Sequence, residues 1–152
     1  MMLNSPVQQI AQTQKATRNE LLELIGSEWY DKELFATAEK VRLSVYGREV
    51  YMRGLIEFTN YCKNDCFYCG IRKSNENAER YRLTAEQIFE CAKKGYDLGF
   101  RTFVLQGGED PYFTDKILCE IVFKLKEDFP DCAVTLSIGE RSYESYKALR
   151  DA

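Results

Sequence analysis

The hydrophobic positions in the first 50 residues of the chain recur at helical spacing. Residues 17 to 26 begin with Thr17 and Glu20, which are spaced as a capping box, and Gly26 is suited to ending a helix. The apolar stripe between them consists of Leu21, Leu22, Leu24 and Ile25. A second stripe predicts a helix from about Asp31 to Val45, followed by Gly47. We therefore predict a helical arm over residues 1–50, in which no pattern typical of catalytic chemistry occurs.

From residue 54 onward, short β-rich runs alternate with amphipathic helical stretches. The runs LIEFTN, TFVLQ (102–106) and AVTLSI (133–138) predict three strands. Thr84 and Gln87 predict a capped helix that ends near Gly99, and a second apolar stripe predicts a helix that stops before Pro130. The final segment, ERSYESYKALRDA, begins a third helix. This order predicts right-handed βαβ units and a parallel sheet, hence an α/β fold.

The third strand alternates between larger apolar residues and small or hydroxylated ones. Val134, Leu136 and Ile138 are expected to pack under helices, whereas Ala133, Thr135 and Ser137 suit a barrel interior near its working mouth. Three βα units do not close a barrel, which takes about eight in its commonest form. We therefore expect residues 51–152 to be the N-terminal portion of a larger barrel, or to need a partner that completes the sheet.

Composition and charge exclude several classes of function. The chain has 152 residues, a net charge of −3 and a pI near 5.2, without a basic block, so neither nucleic acid nor a membrane is expected as a partner. The start of the chain has no secretory signal, and no apolar run is long enough for a membrane span, which predicts a cytoplasmic protein. The chain has no histidine, which excludes histidine-based triads and histidine ligands.

Three of the six cysteines lie within eight residues, in the segment CKNDCFYC that follows the first predicted strand. A reducing cytoplasm disfavours a disulfide, so Cys62, Cys66 and Cys69 indicate a metal site. We expect the other three, Cys91, Cys119 and Cys132, to be small buried apolar side chains.

Three interpretations of the cysteine segment remain open at this point. Three thiolates on a cubane of four irons leave one iron without a protein ligand, a coordination position suited to catalysis. Alternatively, the three cysteines hold a structural zinc with an external ligand, as a non-catalytic module. In the third interpretation the chain is a plain α/β domain with incidental cysteines.

The segment CKNDCFYC resembles the CxxxCxΦC signature of the radical S-adenosylmethionine (SAM) superfamily. This resemblance implies a TIM-like (β/α) barrel in which Cys62, Cys66 and Cys69 bind a 4Fe-4S cluster. It implies that the free iron chelates SAM, and that the reduced cluster donates the electron that cleaves SAM to a 5′-deoxyadenosyl radical. Tyr68 occupies the position that the family uses against the adenine.

Further candidate residues lie at the ends of the second and third predicted strands. Gly107, Gly108 and Glu109 resemble the superfamily's GGE motif, which holds the methionine amino group; glycines permit close approach, and a carboxylate complements an ammonium. Thr135 and Ser137 are either hydrogen-bonding groups for SAM or substrate, or ordinary strand hydroxyls. Arg72 either balances the charge of cluster and substrate or is a solvated side chain.

Longer stretches between about residues 50 and 150 resemble the HydE family of FeFe-hydrogenase maturases. They are IEFTNYCKNDCFYCGIRKSN, RYRLTAEQI, TFVLQGGEDPYFTD and AVTLSIGE. The resemblance implies a role in maturation of the hydrogenase H-cluster, with a small-molecule or organometallic substrate. It further implies an electron donor such as ferredoxin or flavodoxin, and other hydrogenase maturases as partners. Biotin synthase-like and methylornithine synthase-like enzymes are the alternatives, and the activity of this chain alone stays open.

Overall fold

The computed structural model describes residues 5–152, so residues 1–4 of the predicted helical arm lie outside the described residues. The chain divides into two compact units, one reaching to Tyr51 and the other spanning Met52–Ala152. Each unit is considered by itself.

The first unit is helical. It contains α1 (Pro6–Thr13), α2 (Arg18–Gly26), a short 3₁₀ turn (Glu28–Tyr30) and α3 (Asp31–Tyr46). The predicted helices α2 and α3 are confirmed: Thr17 and Glu20 form the capping box, and Gly47 ends α3 with φ +62°. Helix α1 was not predicted from the apolar pattern, although the Ser5 side chain caps it and Pro6 occupies its first turn.

The apolar stripes of the first unit are largely exposed. In the part of the unit that the structure describes, only Val7 and Leu24 are buried hydrophobic residues. Phe35 and Val45, which belong to the stripe that predicted α3, are each 65% exposed. The helical spacing of the apolar residues therefore predicted α3 correctly but did not identify a buried face.

The second unit is a three-stranded parallel sheet with helical connections. Its elements are β1 (Gly54–Thr59), α4 (Ala85–Asp97), β2 (Thr102–Gly107), α5 (Asp115–Asp128), β3 (Ala133–Ser137) and α6 (Tyr143–Asp151). The strand order is β1-β2-β3, and both strand pairs are parallel. The predicted α/β class, the three strands and their helices are confirmed.

Local signals in the sequence position the helix ends. The Thr84 hydroxyl accepts a hydrogen bond from the Gln87 backbone N–H, and Gln87 Oε1 accepts one from the Thr84 N–H, which completes the predicted capping box. Helix α4 ends just before Gly99, whose φ of +94° suits a glycine. The Thr114 and Ser142 hydroxyls cap α5 and α6 by accepting the backbone N–H groups of Ile117 and Ser145, respectively.

The two faces of the sheet differ in burial. Ile56, Phe58, Phe103 and Leu105 point into the core, where they join α4 and α5 residues such as Ile88, Leu118 and Leu125. The opposite face carries two rows across the strands, which are Leu55–Val104–Thr135 and Glu57–Gln106–Ser137. Thr135 and Ser137 are exposed while Ile138 is buried, as the alternation along β3 predicted. Within residues 5–152, none of the helices has the length and apolar character needed to cross a membrane.

Candidate functional site

The cysteine segment is part of a long loop whose two ends are both held on β1. After Thr59 the chain leaves the sheet, and it returns where Arg82 forms an antiparallel bridge with Thr59. The Leu83 N–H donates to the Phe58 carbonyl at 2.7 Å, and α4 begins directly afterwards. The loop is therefore anchored on the strand at both ends, at the carboxyl edge of the sheet where ligands of parallel α/β folds bind.

Short-range hydrogen bonds give the loop a defined shape. The Cys69 N–H donates to the Cys66 carbonyl at 3.0 Å, and the Lys73 N–H donates to the Asn64 carbonyl at 2.8 Å. The Asp65 carboxylate accepts the Ser74 N–H at 3.0 Å, and hydrogen bonds from Ser74 lower the pKa of Asp65. The loop is folded by its own polar groups, and its cysteines are free thiols.

Arg80 holds the interior of this loop. Its guanidinium donates to the carbonyls of Asn60, Ile71, Arg72 and Asn75 at 2.5–3.2 Å. One planar cation thus connects the beginning of the loop to the segment that follows the third cysteine. Arg72, by contrast, donates to the Cys69 carbonyl at 3.2 Å, so its guanidinium contacts the loop backbone. The sequence analysis did not identify Arg80, because an arginine in a polar stretch carries no distinctive signal.

Gly108 brings the end of β2 against the cysteine loop. A Cβ at this position would overlap the Tyr61 carbonyl and lie 2.8 Å from the Cβ of Cys62. At Gly107, a Cβ would meet the Thr59 side chain at 2.7 Å. Both glycines are therefore required by the close packing of β2 on β1 and its loop, a structural demand that exists without any ligand.

Glu109 is the point at which the loops after all three strands meet. Its carboxylate accepts a hydrogen bond from Asn64 Nδ2 at 2.6 Å and pairs with Lys63 Nζ at 3.1 Å. Its backbone carbonyl accepts the Lys63 N–H at 3.0 Å. From the third loop, Gly139 with φ +79° leaves room for the Glu109 side chain, which a Cβ would overlap. The hydrogen bond from Lys63 is the main cause that lowers the pKa of Glu109.

A buried carboxylate next to Glu109 ties the same two loops together. Asp110 is 4% exposed, and its carboxylate binds Arg82 through two hydrogen bonds of 2.6 and 3.0 Å. The Thr59 hydroxyl donates a hydrogen bond to the Asp110 carboxylate at 2.8 Å, and the Tyr112 N–H donates another to it at 3.1 Å. The Arg82 guanidinium lies 3.8 Å from the centre of the Tyr61 ring. The sequence analysis missed this cluster, since it depends on contacts between residues far apart in the chain.

The structure brings together some of the predicted site residues and leaves others apart. Cys62 lies against Gly108, and the next residue, Lys63, donates its backbone N–H to the Glu109 carbonyl. Tyr68 is 94% exposed. Thr135 donates to the Phe103 carbonyl at 3.4 Å, which agrees with an ordinary strand hydroxyl, whereas Ser137 is exposed beside Gln106.

The prediction that the remaining cysteines are buried is wrong for one of them. Cys132 is buried and Cys119 is half-buried, and burial raises the pKa of both thiols. Cys91 is exposed, because the buried face of α4 is defined by Ile88 and Ala92. Cys91 precedes Ala92 by one residue, about 100° around the helix axis.

The donor set of the loop fits an iron–sulfur cluster. Across residues 5–152, no three side chains of His, Cys, Asp or Glu converge closely enough to bind one metal ion. Ligands of a cluster bind separate irons, so they surround a space instead of converging on a point. Three free thiols in one folded loop, with Glu109 held beside it, supply the thiolate donors that such a cluster takes.

Comparison with known proteins identifies the family. The sequence profile described as the Radical SAM superfamily matches residues 56–152, which include the cysteine loop and all three strands. The chain belongs to the radical SAM superfamily. Its members are enzymes, and membership implies a 4Fe-4S cluster and SAM as cofactors.

Individual radical SAM proteins are similar to much of the chain. The [FeFe] hydrogenase maturase subunit HydE of Thermotoga maritima is 41% identical over 128 residues, or 84% of this chain and 36% of that protein. The 3-methylornithine synthase of Methanosarcina barkeri is 37% identical over 74% of this chain and 33% of its own length. The crystal structure of methylornithine synthase (PylB) superposes with a TM-score of 0.83 at 31% identity, covering 97% of this chain and 44% of that one. The chain thus spans about a third of the length of these curated relatives.

Proposed function

We propose that the protein is a radical SAM enzyme of HydE type, acting in maturation of the FeFe-hydrogenase H-cluster. The observation that carries the proposal is the meeting of the cysteine loop with the GGE turn through Lys63, Asn64 and Glu109. In the radical SAM proteins this chain resembles, the same two segments bind the cluster and the methionine part of SAM. The 41% identity to the Thermotoga HydE supports the finer assignment.

In this proposal, different residues of the site bind the cluster and the parts of SAM. Cys62, Cys66 and Cys69 would hold the cluster, with Arg80 maintaining the loop that presents them. Glu109, ionised because its pKa is lowered, would accept the methionine ammonium. Tyr68 is assigned to the adenine, and Thr135 and Ser137 to SAM or substrate. When bound and reduced, the cluster supplies the electron that cleaves SAM to the 5′-deoxyadenosyl radical.

A cavity on the open face of the sheet, lined by both polar and apolar groups, is the proposed location of the substrate. About 250 Å³ is enclosed next to the cysteine loop by Glu57, Asn60, Ile71, Tyr81, Gln106 and neighbouring residues. Glu57 and Gln106 come from neighbouring positions of β1 and β2, so polar groups from two strands line this cavity. Such a site suits a small polar molecule, in agreement with a small-molecule or organometallic substrate.

We assign residues 1–50 to a helical arm and residues 51–152 to the N-terminal portion of the radical SAM core. The division of the chain after Tyr51 and the superfamily match from residue 56 both support this boundary. An electron donor such as ferredoxin or flavodoxin, and other hydrogenase maturases, are the partners that this role requires.

Anaerobic reconstitution with iron and sulfide tests the proposed function. We expect a brown protein with about four irons, whose EPR signal after reduction changes when SAM is added. Cys62→Ala should abolish both the cluster signal and the response to SAM, because one iron loses its ligand. The measurements are iron and sulfide content and EPR spectra with and without SAM.

Cys91→Ala is the matched control, because Cys91 is an exposed cysteine outside the loop. This variant should retain the wild-type cluster content and EPR response. A colourless protein that binds one zinc, or a cluster whose spectrum is indifferent to SAM, would refute the proposal.

A further inference from the structure

The ion pair between Lys63 and Glu109 joins the cysteine loop to the GGE turn. Lys63 Nζ lies 3.1 Å from Glu109 Oε2, and Asn64 Nδ2 lies 2.6 Å from Glu109 Oε1. Both carboxylate oxygens therefore have a partner from the loop that carries Cys62. A ligand ammonium that binds Glu109 must share or replace one of these partners.

Of the two partners, Lys63 is the one that can leave. Its side chain is 56% exposed, and a solvent-exposed ion pair contributes little stability, so separation from Glu109 costs little. Glu109 itself is only 19% exposed, and Asn64 and the backbone at Gly139 fix its position. The carboxylate is thus a fixed group, whereas the lysine is a mobile one on a flexible four-carbon stem.

The ion pair borders an open space. Lys63 and Glu109 line a cavity of about 370 Å³ together with residues of the loops after β2 and β3, among them Pro111, Phe113 and Arg141. A ligand can reach both charges from the same side. In an α-amino acid the ammonium and the carboxylate are attached to one carbon, so a neighbouring lysine and glutamate offer a complement to both groups.

We propose that Lys63 is a specificity residue for the methionine part of SAM. This inference rests on the proposed function. The ammonium of the incoming methionine replaces Lys63 on Glu109, and the released Lys63 ammonium pairs with the methionine carboxylate. One protein ion pair is exchanged for two ion pairs with the ligand, and no covalent bond forms or breaks.

The test compares SAM with decarboxylated SAM, which keeps the ammonium but lacks the carboxylate. In the reconstituted protein, Lys63→Met should weaken binding of SAM about three- to tenfold, the effect of losing one charge-assisted contact at a partly exposed site. Binding of decarboxylated SAM should be unchanged or tighter, because Lys63 no longer competes for Glu109. Dissociation constants are measured by anaerobic titration calorimetry, with iron content checked in every variant.

Two control variants separate this role from general electrostatics and folding. Lys73→Met makes the same charge change at an exposed position of the same loop and should alter neither dissociation constant. Lys63→Arg retains the charge and should restore most of the affinity for SAM. The inference is overturned if Lys63→Met changes the dissociation constants of SAM and decarboxylated SAM by the same factor, or changes neither of them. Failure of the wild-type protein to bind SAM would instead refute the proposed function itself.

Discussion

At the residue scale, the carboxylates of Glu109 and Asp110 are adjacent in sequence but have different environments. The Glu109 side chain is 19% exposed and pairs with the largely exposed Lys63, whereas the Asp110 side chain is 1% exposed and is bound by Arg82 and Thr59. Burial by itself raises the pKa of Asp110, but the hydrogen bonds from Arg82, Thr59 and the Tyr112 backbone together outweigh it and lower the pKa. Asp110 is therefore a structural anion beside Glu109, the proposed ligand-binding one.

The stability contributed by Asp110 should depend on pH. Because its pKa is lower in the folded protein, the contribution is complete above the ordinary value of 3.8 and is lost as pH falls through the lowered folded value. We expect Asp110→Asn to reduce the free energy of unfolding by about 2 kcal/mol at pH 7, with a smaller difference from wild type below pH 3.8. Urea unfolding across this pH range measures both quantities.

Glu90→Gln provides the control for removal of a carboxylate, since Glu90 lies exposed on α4. Its free energy of unfolding should stay within about 0.5 kcal/mol of wild type. A pH-independent difference between Asp110→Asn and wild type would contradict the assignment of an ionised Asp110.

At the scale of elements, the strands and helices of the second unit place the loops, and polar contacts shape them. The strand ends fix where the cysteine loop begins and returns, at Thr59 and Arg82. Between those points the path is set by Arg80 and by turns such as the one from Cys66 to Cys69. The loop therefore owes its shape to polar contacts among its own residues.

Replacement of Arg80 should loosen the cysteine loop specifically. Lysine keeps the charge but lacks the planar fork that reaches four carbonyls. In Arg80→Lys we expect amide hydrogen exchange over residues 61–79 to become about tenfold faster, corresponding to the loss of charge-assisted hydrogen bonds. Exchange in β2 should remain at the wild-type rate, as peptide-level mass spectrometry would show.

Arg150→Lys is a matched control, because the Arg150 guanidinium donates hydrogen bonds only to the neighbouring Asp151 side chain among residues 5–152. Exchange across the loop in this variant should equal that of wild type. An unchanged loop in Arg80→Lys would show that the turns alone maintain its shape.

At the scale of the whole molecule, the chain carries the part that radical SAM proteins of different function have in common. HydE and 3-methylornithine synthase each match about three quarters or more of this chain. The chain in turn spans only about a third of the length of each relative. The cysteine loop, the GGE turn and the parallel strands belong to this shared part. Similarity over this shared part does not distinguish between their substrates.

Complementation distinguishes the HydE-type function from that of the relatives. We expect the gene encoding this chain, expressed in full, to restore hydrogenase activity in a host that lacks its HydE maturase. The same gene carrying Cys62→Ala should fail, because the cluster ligand is missing. Hydrogen evolution is the measurement, and rescue of biotin auxotrophy or of methylornithine formation instead would reassign the protein within the superfamily.

The sequence by itself determined the local elements and the candidate residues of the site. Capping boxes at Thr17 and Thr84 depend on residues three apart, and the order of strands and helices follows from hydrophobic period, so both are readable without tertiary contacts. The cysteine spacing and the GGE motif are equally local. For the same reason, the burial of single positions such as Cys91 was mispredicted, since it depends on which helix face meets the sheet.

Only the tertiary structure decided how these local pieces combine. The pairing of Lys63 with Glu109, and of Arg82 with Asp110, joins residues 46 and 28 positions apart, respectively. Such contacts exist because parallel pairing brings the carboxyl ends of β1 and β2 to one edge, and because Gly108 lets the two loops touch. Hydrophobic period and motif spacing carry no information about contacts over that separation, since they record only neighbours along the chain.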